Sequence, residues 1–192
     1  MNAPRAARKE SLLTEEEFHI LMRTRPEEER WQLIDGVAVM MPPPTLRHQF
    51  IGGNLHRRLA EALERTRPDL GVLYESGLRI EGVPAFLPGP DLLVVDVPVG
   101  EGSYADRFYL TAEILSDSNT EEYISLKVQR YAQHPDNLYS LVIGQRDMSV
   151  EVWSRAKAWK GVVLRSPDDI LELPEFGFRC AVRELYRGTP LA

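Results

Sequence analysis

One cysteine, Cys180, stands in a chain of 192 residues, which excludes a disulfide framework and any zinc site built from several thiolates. Its neighbours Phe178 and Val182 are apolar and no histidine lies near it in sequence. It therefore reads as a buried structural thiol in a protein of the reducing cytoplasm. Long apolar runs are missing as well. None approaches the roughly 20 residues of a membrane span, and the basic stretch from Met1 to Glu10 is not followed by the apolar segment of a signal peptide. A cytoplasmic location without membrane contact is the expectation. There is no internal repeat, no low-complexity linker and no Gly-rich phosphate loop.

Positive charge is also in short supply. The formal net charge is -6, so the molecule as a whole lacks the basic footprint of a protein that grips nucleic acid through phosphates alone, and any DNA contact must be local. Arg47, His48, His56, Arg57, Arg58, Arg65 and Arg67 form one basic segment, diluted by Glu61 and Glu64. A solvated helix face explains that segment more simply than a binding track.

What is present suffices for one substantial core: 43% of the residues are hydrophobic, with ordinary charged (27%) and aromatic (8%) fractions. We read a mobile N-terminus over 1–10 and a single domain over 11–192. Thr14 followed by three glutamates is a capped helix start with an acidic first turn. That helix should end by Arg25, before Pro26. Trp31–Ile34 and Val37–Met41 flank Asp35-Gly36, a two-residue hairpin signal, and Pro42 to Pro44 stop the second strand. Ile51, Leu55, Leu59 and Leu63 recur every four residues and predict an amphipathic helix from His48 to Leu63. Strands are predicted over Val72–Ile80, Asp91–Val97 and Tyr109–Leu115, then a helix over Glu121–Ala132 and a short apolar strand over Leu138–Ile143. Further strands are expected at Ser149–Trp153, Trp159–Leu164 and Ile170–Leu173, with a helical turn at Val182–Tyr186. The class is α/β, a mixed sheet flanked by helices.

Glu113 lies in Leu110-Thr111-Ala112-Glu113-Ile114-Leu115, a stretch otherwise suited to a buried strand, where an unpaired carboxylate would be costly. Lys127 can supply the partner. From Glu113 to Ser116 the strand advances roughly 10 Å, and from Thr120 to Lys127 a returning helix covers roughly the same distance. A helix packed back over the sheet brings the two side chains level. Lys127 also shares its helix's inward stripe with Ile124 and Tyr131. From these two residues alone a structural ion pair is the simpler reading.

Asp91 shifts the balance. It follows Pro90 at the mouth of the strand Asp91-Leu92-Leu93-Val94-Val95, and two carboxylates from neighbouring strands with one lysine make a hard-oxygen site suited to Mg²⁺ or Mn²⁺. Such a site serves phosphodiester hydrolysis: the metal activates water and polarises the phosphate, while the lysine orients the nucleophile or offsets developing charge. His48, at the helix start, either points at the site or is an ordinary polar residue of a helix terminus. Glu75, in an adjacent predicted strand, faces either the cleft or solvent. Asp96 has the opposite strand parity to Asp91 and is left out.

The motifs Trp31-Gln32-Leu33-Ile34-Asp35-Gly36, Met41-Pro42-Pro43-Pro44 with His48, Pro90-Asp91-Leu92-Leu93-Val94-Val95, and Glu113-Ile114-Leu115-Ser116 with Lys127 and Tyr131 together resemble the Uma2 family over about residues 12 to 187. That family belongs to the restriction-endonuclease-like superfamily with the PD-(D/E)xK pattern. The resemblance implies a restriction-endonuclease-like mixed sheet, with an N-terminal helix and hairpin before it and extra strands after it. It also implies a Mg²⁺-dependent endonuclease acting on DNA, with Asp91 and Glu113 as metal ligands and Lys127 as the third catalytic residue; His48, Glu75 and Tyr131 are the accessory candidates, Glu75 on its strand position alone. The lysine that usually follows the acid by two positions has moved from the place of Leu115 to the helix. Gln32 and Tyr123 depart from the family's common Glu and Asp, and Ser116-Asp117-Ser118-Asn119 replaces the usual Ser-Pro-Ser-Thr. A catalytically degenerate module that binds nucleic acid or protein is the alternative. By analogy with enzymes that cut two strands, a homodimer is expected.

Overall fold

The computed structural model describes residues 12–116 and 120–192. The N-terminal segment expected to be mobile, and residues 117–119, lie outside the described residues. Helix α1 (Glu15–Met22) begins with the capping box read from Thr14 and Glu17. The hairpin of β1 (Arg30–Ile34) and β2 (Val37–Met41) pairs Ile34 with Val37 across Asp35-Gly36, both at positive φ (47° and 84°). That is the left-handed backbone a two-residue hairpin turn requires. Thr45 caps α2 (Leu46–Thr66), accepting from the His48 N–H, and buries Ile51, Leu55, Leu59 and Leu63 in the predicted stripe.

The remaining elements are β3 (Leu70–Tyr74), β4 (Gly77–Leu78), β5 (Leu92–Asp96), β6 (Tyr104–Ala105), β7 (Leu110–Ile114), α3 (Glu121–Tyr131), β8 (Tyr139–Ile143), β9 (Val150–Ser154), β10 (Val162–Leu164), β11 (Ile170–Leu173) and β12 (Phe178–Ala181). Six strands form a mixed sheet in the order β10-β9-β8-β7-β5-β3, parallel between β7 and β8 and antiparallel elsewhere. The expected α/β class and mixed, helix-flanked sheet are what the chain adopts.

Two strand assignments need correction. Val72–Ile80 is not one strand: Glu75 takes φ 49°, the chain turns, and Gly77–Leu78 pairs instead with Tyr104–Ala105. Trp159 does not begin a strand, because a 3-10 turn over Arg155–Lys157 is followed by Ala158 and Trp159 at positive φ; pairing resumes at Val162. Two strands went unread, β6 and β12. Strand β12 pairs with β11 and buries Cys180.

The two faces of the sheet divide the helices. Leu92, Val94, Leu110, Ala112 and Ile114 pack with α2, while Leu93 and Val95 pack with Tyr131 of α3 and with Phe86 and Phe108. Leu92 pairs with Ala112 in the antiparallel β5–β7 register, so one step further along, Asp91 and Glu113 come level. Strand alternation then turns both toward the α3 face. The opposite parity of Asp96 leaves it elsewhere, accepting a hydrogen bond from the Tyr109 hydroxyl at 2.8 Å.

Candidate active site

The strand end that carries Asp91 and Glu113 opens into a cleft of about 590 Å³, bounded by the β1–β2 hairpin, the start of α2 and α3. Each carboxylate is fixed by its neighbours. Asp91 Oδ2 accepts the Ile114 N–H at 2.6 Å, which ties β5 to the end of β7. Asp91 Oδ1 faces His48 Nε2 at 3.3 Å. The Thr45 cap places His48 on the first turn of α2, and the helix start brings its ring to the strand end. Burial works against a charged imidazole, but the hydrogen bond and charge of Asp91, with the charges of Glu75 and Glu113, outweigh it and hold His48 above its ordinary value.

Glu113 Oε1 receives both the Lys127 ammonium at 2.6 Å and the Tyr131 hydroxyl at 2.6 Å. Residues 127 and 131 are one helical turn apart on α3, so both reach the same oxygen. Burial pushes the Glu113 carboxyl up, Asp91 pushes the same way, and the charge and hydrogen bonds of Lys127 and Tyr131 pull against them; the net shift is upward. Burial and the Glu113 charge raise Tyr131 well above the usual phenol range, which keeps it a donor.

All six residues singled out from the sequence meet around this cleft. Asp91, Glu113, Lys127, His48 and Glu75 line it, and Tyr131 supports Glu113 from behind. Glu75, which strand alternation could assign to either face, turns inward at its positive φ. Its N–H donates to the Asp91 carbonyl at 2.8 Å, and its carboxylate pairs with Arg30.

Other cleft residues escaped notice. Gln145 is buried, donates to the Leu115 carbonyl at 3.1 Å and accepts from Thr45, so it clamps the end of β7 to the α2 cap. The available signal was a polar residue directly after the apolar run Tyr139–Ile143 and Gly144. Gln32 and Tyr123, noted only as departures from a family pattern, touch one another: the Gln32 amide donates to the Tyr123 hydroxyl, and its oxygen accepts the Gly89 N–H at 3.3 Å. They bridge the hairpin and α3 without adding a carboxylate.

Two level carboxylates, one of them driven upward partly by the other, form a locus of negative potential that a divalent cation would relieve. Among the described residues no group of three or more His, Cys, Asp and Glu is arranged to hold a metal. A divalent cation at this strand end would thus have at most the two carboxylates Asp91 and Glu113 from the protein and would take its other oxygens from water or phosphate. No helix of the described residues is long and apolar enough to cross a membrane.

No curated protein matches the sequence. A solved structure from Anabaena variabilis ATCC 29413, described as a putative nuclease belonging to DUF820, matches with a TM-score of 0.76 over 91% of this chain and 97% of that one, at 18% identity. That likeness concerns the fold. The sequence profile of Uma2, described as a putative restriction endonuclease, matches residues 15–183, and with the mixed sheet and the strand-end carboxylates in place, the chain belongs to the Uma2 family.

Proposed function

We propose that this protein is a Mg²⁺-dependent endonuclease that hydrolyses DNA phosphodiester bonds, with Asp91 and Glu113 as the metal ligands and Lys127 as the third catalytic residue. The observation that carries the reading is the level placement of the two carboxylates at the mouth of a cleft, with the Lys127 ammonium against one of them. A bound Mg²⁺ or Mn²⁺ would supply an activated water and polarise the phosphate. Lys127 orients Glu113 and offsets charge developing on the phosphate oxygens. His48 holds Asp91, and Tyr131 holds Glu113. The reading assigns a cytoplasmic location, supported by a lone buried thiol.

Supercoiled plasmid, linear duplex and single-stranded DNA incubated with Mg²⁺ or Mn²⁺ test the chemistry. Cleavage should appear and be lost in Asp91→Ala, Glu113→Ala and Lys127→Ala; no cleavage of any form, or cleavage that survives these changes, sinks the proposal. Calorimetry with either cation should show binding that Asp91→Ala abolishes. A cut through both strands of a duplex calls for a second copy of the chain, so that form of the reading also expects a dimeric mass by light scattering.

A second reading is favoured by one observation. Glu113 Oε1 is satisfied by Lys127 and Tyr131 without any cation, as a structural ion pair would be. A module that keeps the fold and binds nucleic acid or protein without cleavage would show no metal binding and no hydrolysis.

A further inference from the structure

The arginines of α2 do not form a free phosphate track. Arg57 faces Glu61 at 3.1 Å, Arg58 pairs with Glu184, Arg47 and Arg65 donate to the backbone carbonyls of Gln145 and Glu61 at 2.9 and 3.2 Å, and Arg67, the cap that follows, holds Asp69 at 2.6 Å. Inside the cleft the pattern repeats: Arg30 pairs with Glu75, Lys127 with Glu113 and His48 with Asp91. Every cationic or cationisable side chain lining the cleft among the described residues already stands opposite an acid. A duplex carries one phosphate charge per roughly 1.7 Å of axis, and this surface has little with which to match it.

Part of the cleft wall is apolar. It consists of the end of β2, Val39 to Met41, and the three prolines that follow. By strand alternation Val39 and Met41 turn to the same side of the hairpin as Gln32 and Arg30, which line the cleft, and Met40 to the side of Trp31. Proline has no N–H to offer a phosphate, whereas a polarisable thioether and rigid pyrrolidine rings suit the flat face of a base. In a duplex those faces are hidden in the stack; only an unpaired nucleotide presents one. A volume of about 590 Å³ lies in the range of pockets that take a small molecule, about 300–1,000 Å³, which suits a nucleotide better than a helical segment.

We infer that the cleft takes an unpaired nucleotide of a DNA strand, its phosphate toward Asp91 and Glu113 and its base against the Met41–Pro44 lip. This rests on the hydrolytic reading above and narrows its substrate. The test is fluorescence anisotropy of the wild-type chain with a short labelled single strand and with its blunt duplex, in Ca²⁺, a hard cation with the same preference for oxygen ligands.

The single strand should bind about tenfold tighter, and Met41→Ser should remove most of that advantage, since a thioether against an aromatic ring is worth up to about tenfold. Met41→Leu should retain it. Circular dichroism of both variants separates lost binding from lost folding. Equal or tighter duplex binding, tighter binding of RNA of the same sequence, or an unchanged affinity in a folded Met41→Ser variant overturns the inference. Single-strand preference without cleavage in Mg²⁺ overturns hydrolysis but supports this site, and cleavage confined to duplex does the reverse.

Discussion

Lys127 is 1% exposed, a burial lysine tolerates only with a partner at hand. Its contact with Glu113 at 2.6 Å and the Tyr131 hydroxyl on the same oxygen make stability and chemistry depend on the same atoms. Removing one partner of a buried pair strands the other charge. Lys127→Ala is therefore expected to lower stability by about 3–5 kcal/mol, whereas Lys127→Met combined with Glu113→Gln, which leaves no net charge and keeps an acceptor for Tyr131, should cost less than the single change. Urea midpoints at an unchanged slope measure both. If the double variant is the less stable, the burial of unpaired charge is not what governs this position.

At the scale of elements, the site depends on how α3 is closed and returned to the sheet. His134, just beyond α3, stacks on Phe108 with ring centroids 4.2 Å apart. Its Nδ1 accepts the Asp136 N–H at 3.2 Å, and its Nε2 stands 3.0 Å from the Asp106 carbonyl, so the neutral ring carries its proton on Nε2 and donates it there. Burial holds His134 below its ordinary value. The unfolded chain then takes up a proton before the folded one does, and the stabilisation is fully present above about pH 6.5 and lost as pH falls toward the lower folded pKa. His48 and Glu113, held above their ordinary values, act in the opposite direction and are common to both proteins, so as pH is lowered from about 7 to about 5 the melting temperature of the wild type should lose ground to that of His134→Gln. An identical slope in that variant would remove His134 as the cause.

Over the whole molecule, acids face Arg57, Arg58 and Arg67 of the basic segment, and the net charge is -6. Nucleic-acid affinity should then fall only gently with salt, with a slope of log affinity against log salt no steeper than about -2. Anisotropy titrations over a range of NaCl measure this. A much steeper slope would mean that the paired arginines let go of their acids and turn to phosphate.

The sequence by itself determined the local elements and most of the candidate site. The Thr14 cap, the Asp35-Gly36 turn and the Ile51–Leu63 stripe act through neighbours a few residues away, so each is legible from a short window. Glu113 and Lys127 were legible for a related reason: strand and helix rise over a short connection make their meeting a matter of arithmetic. Cys180 could be read as buried, but strand β12 that buries it was missed although it pairs with nearby β11, because four residues are too few for their alternation to stand out.

Only the tertiary structure decided the rest. Asp91 becomes level with Glu113 through the β5–β7 register, Glu75 reaches the cleft by a positive φ that strand alternation cannot foretell, and Gln145 joins Leu115 to Thr45 across 30 and 100 residues. The departures at Gln32 and Tyr123, separate in sequence, become one hydrogen-bonded bridge. The physical reason is common to all of them. Spacing along a chain records the geometry of one helix or strand, while register between strands and the meeting of a helix start with a strand end are set by how the whole core packs.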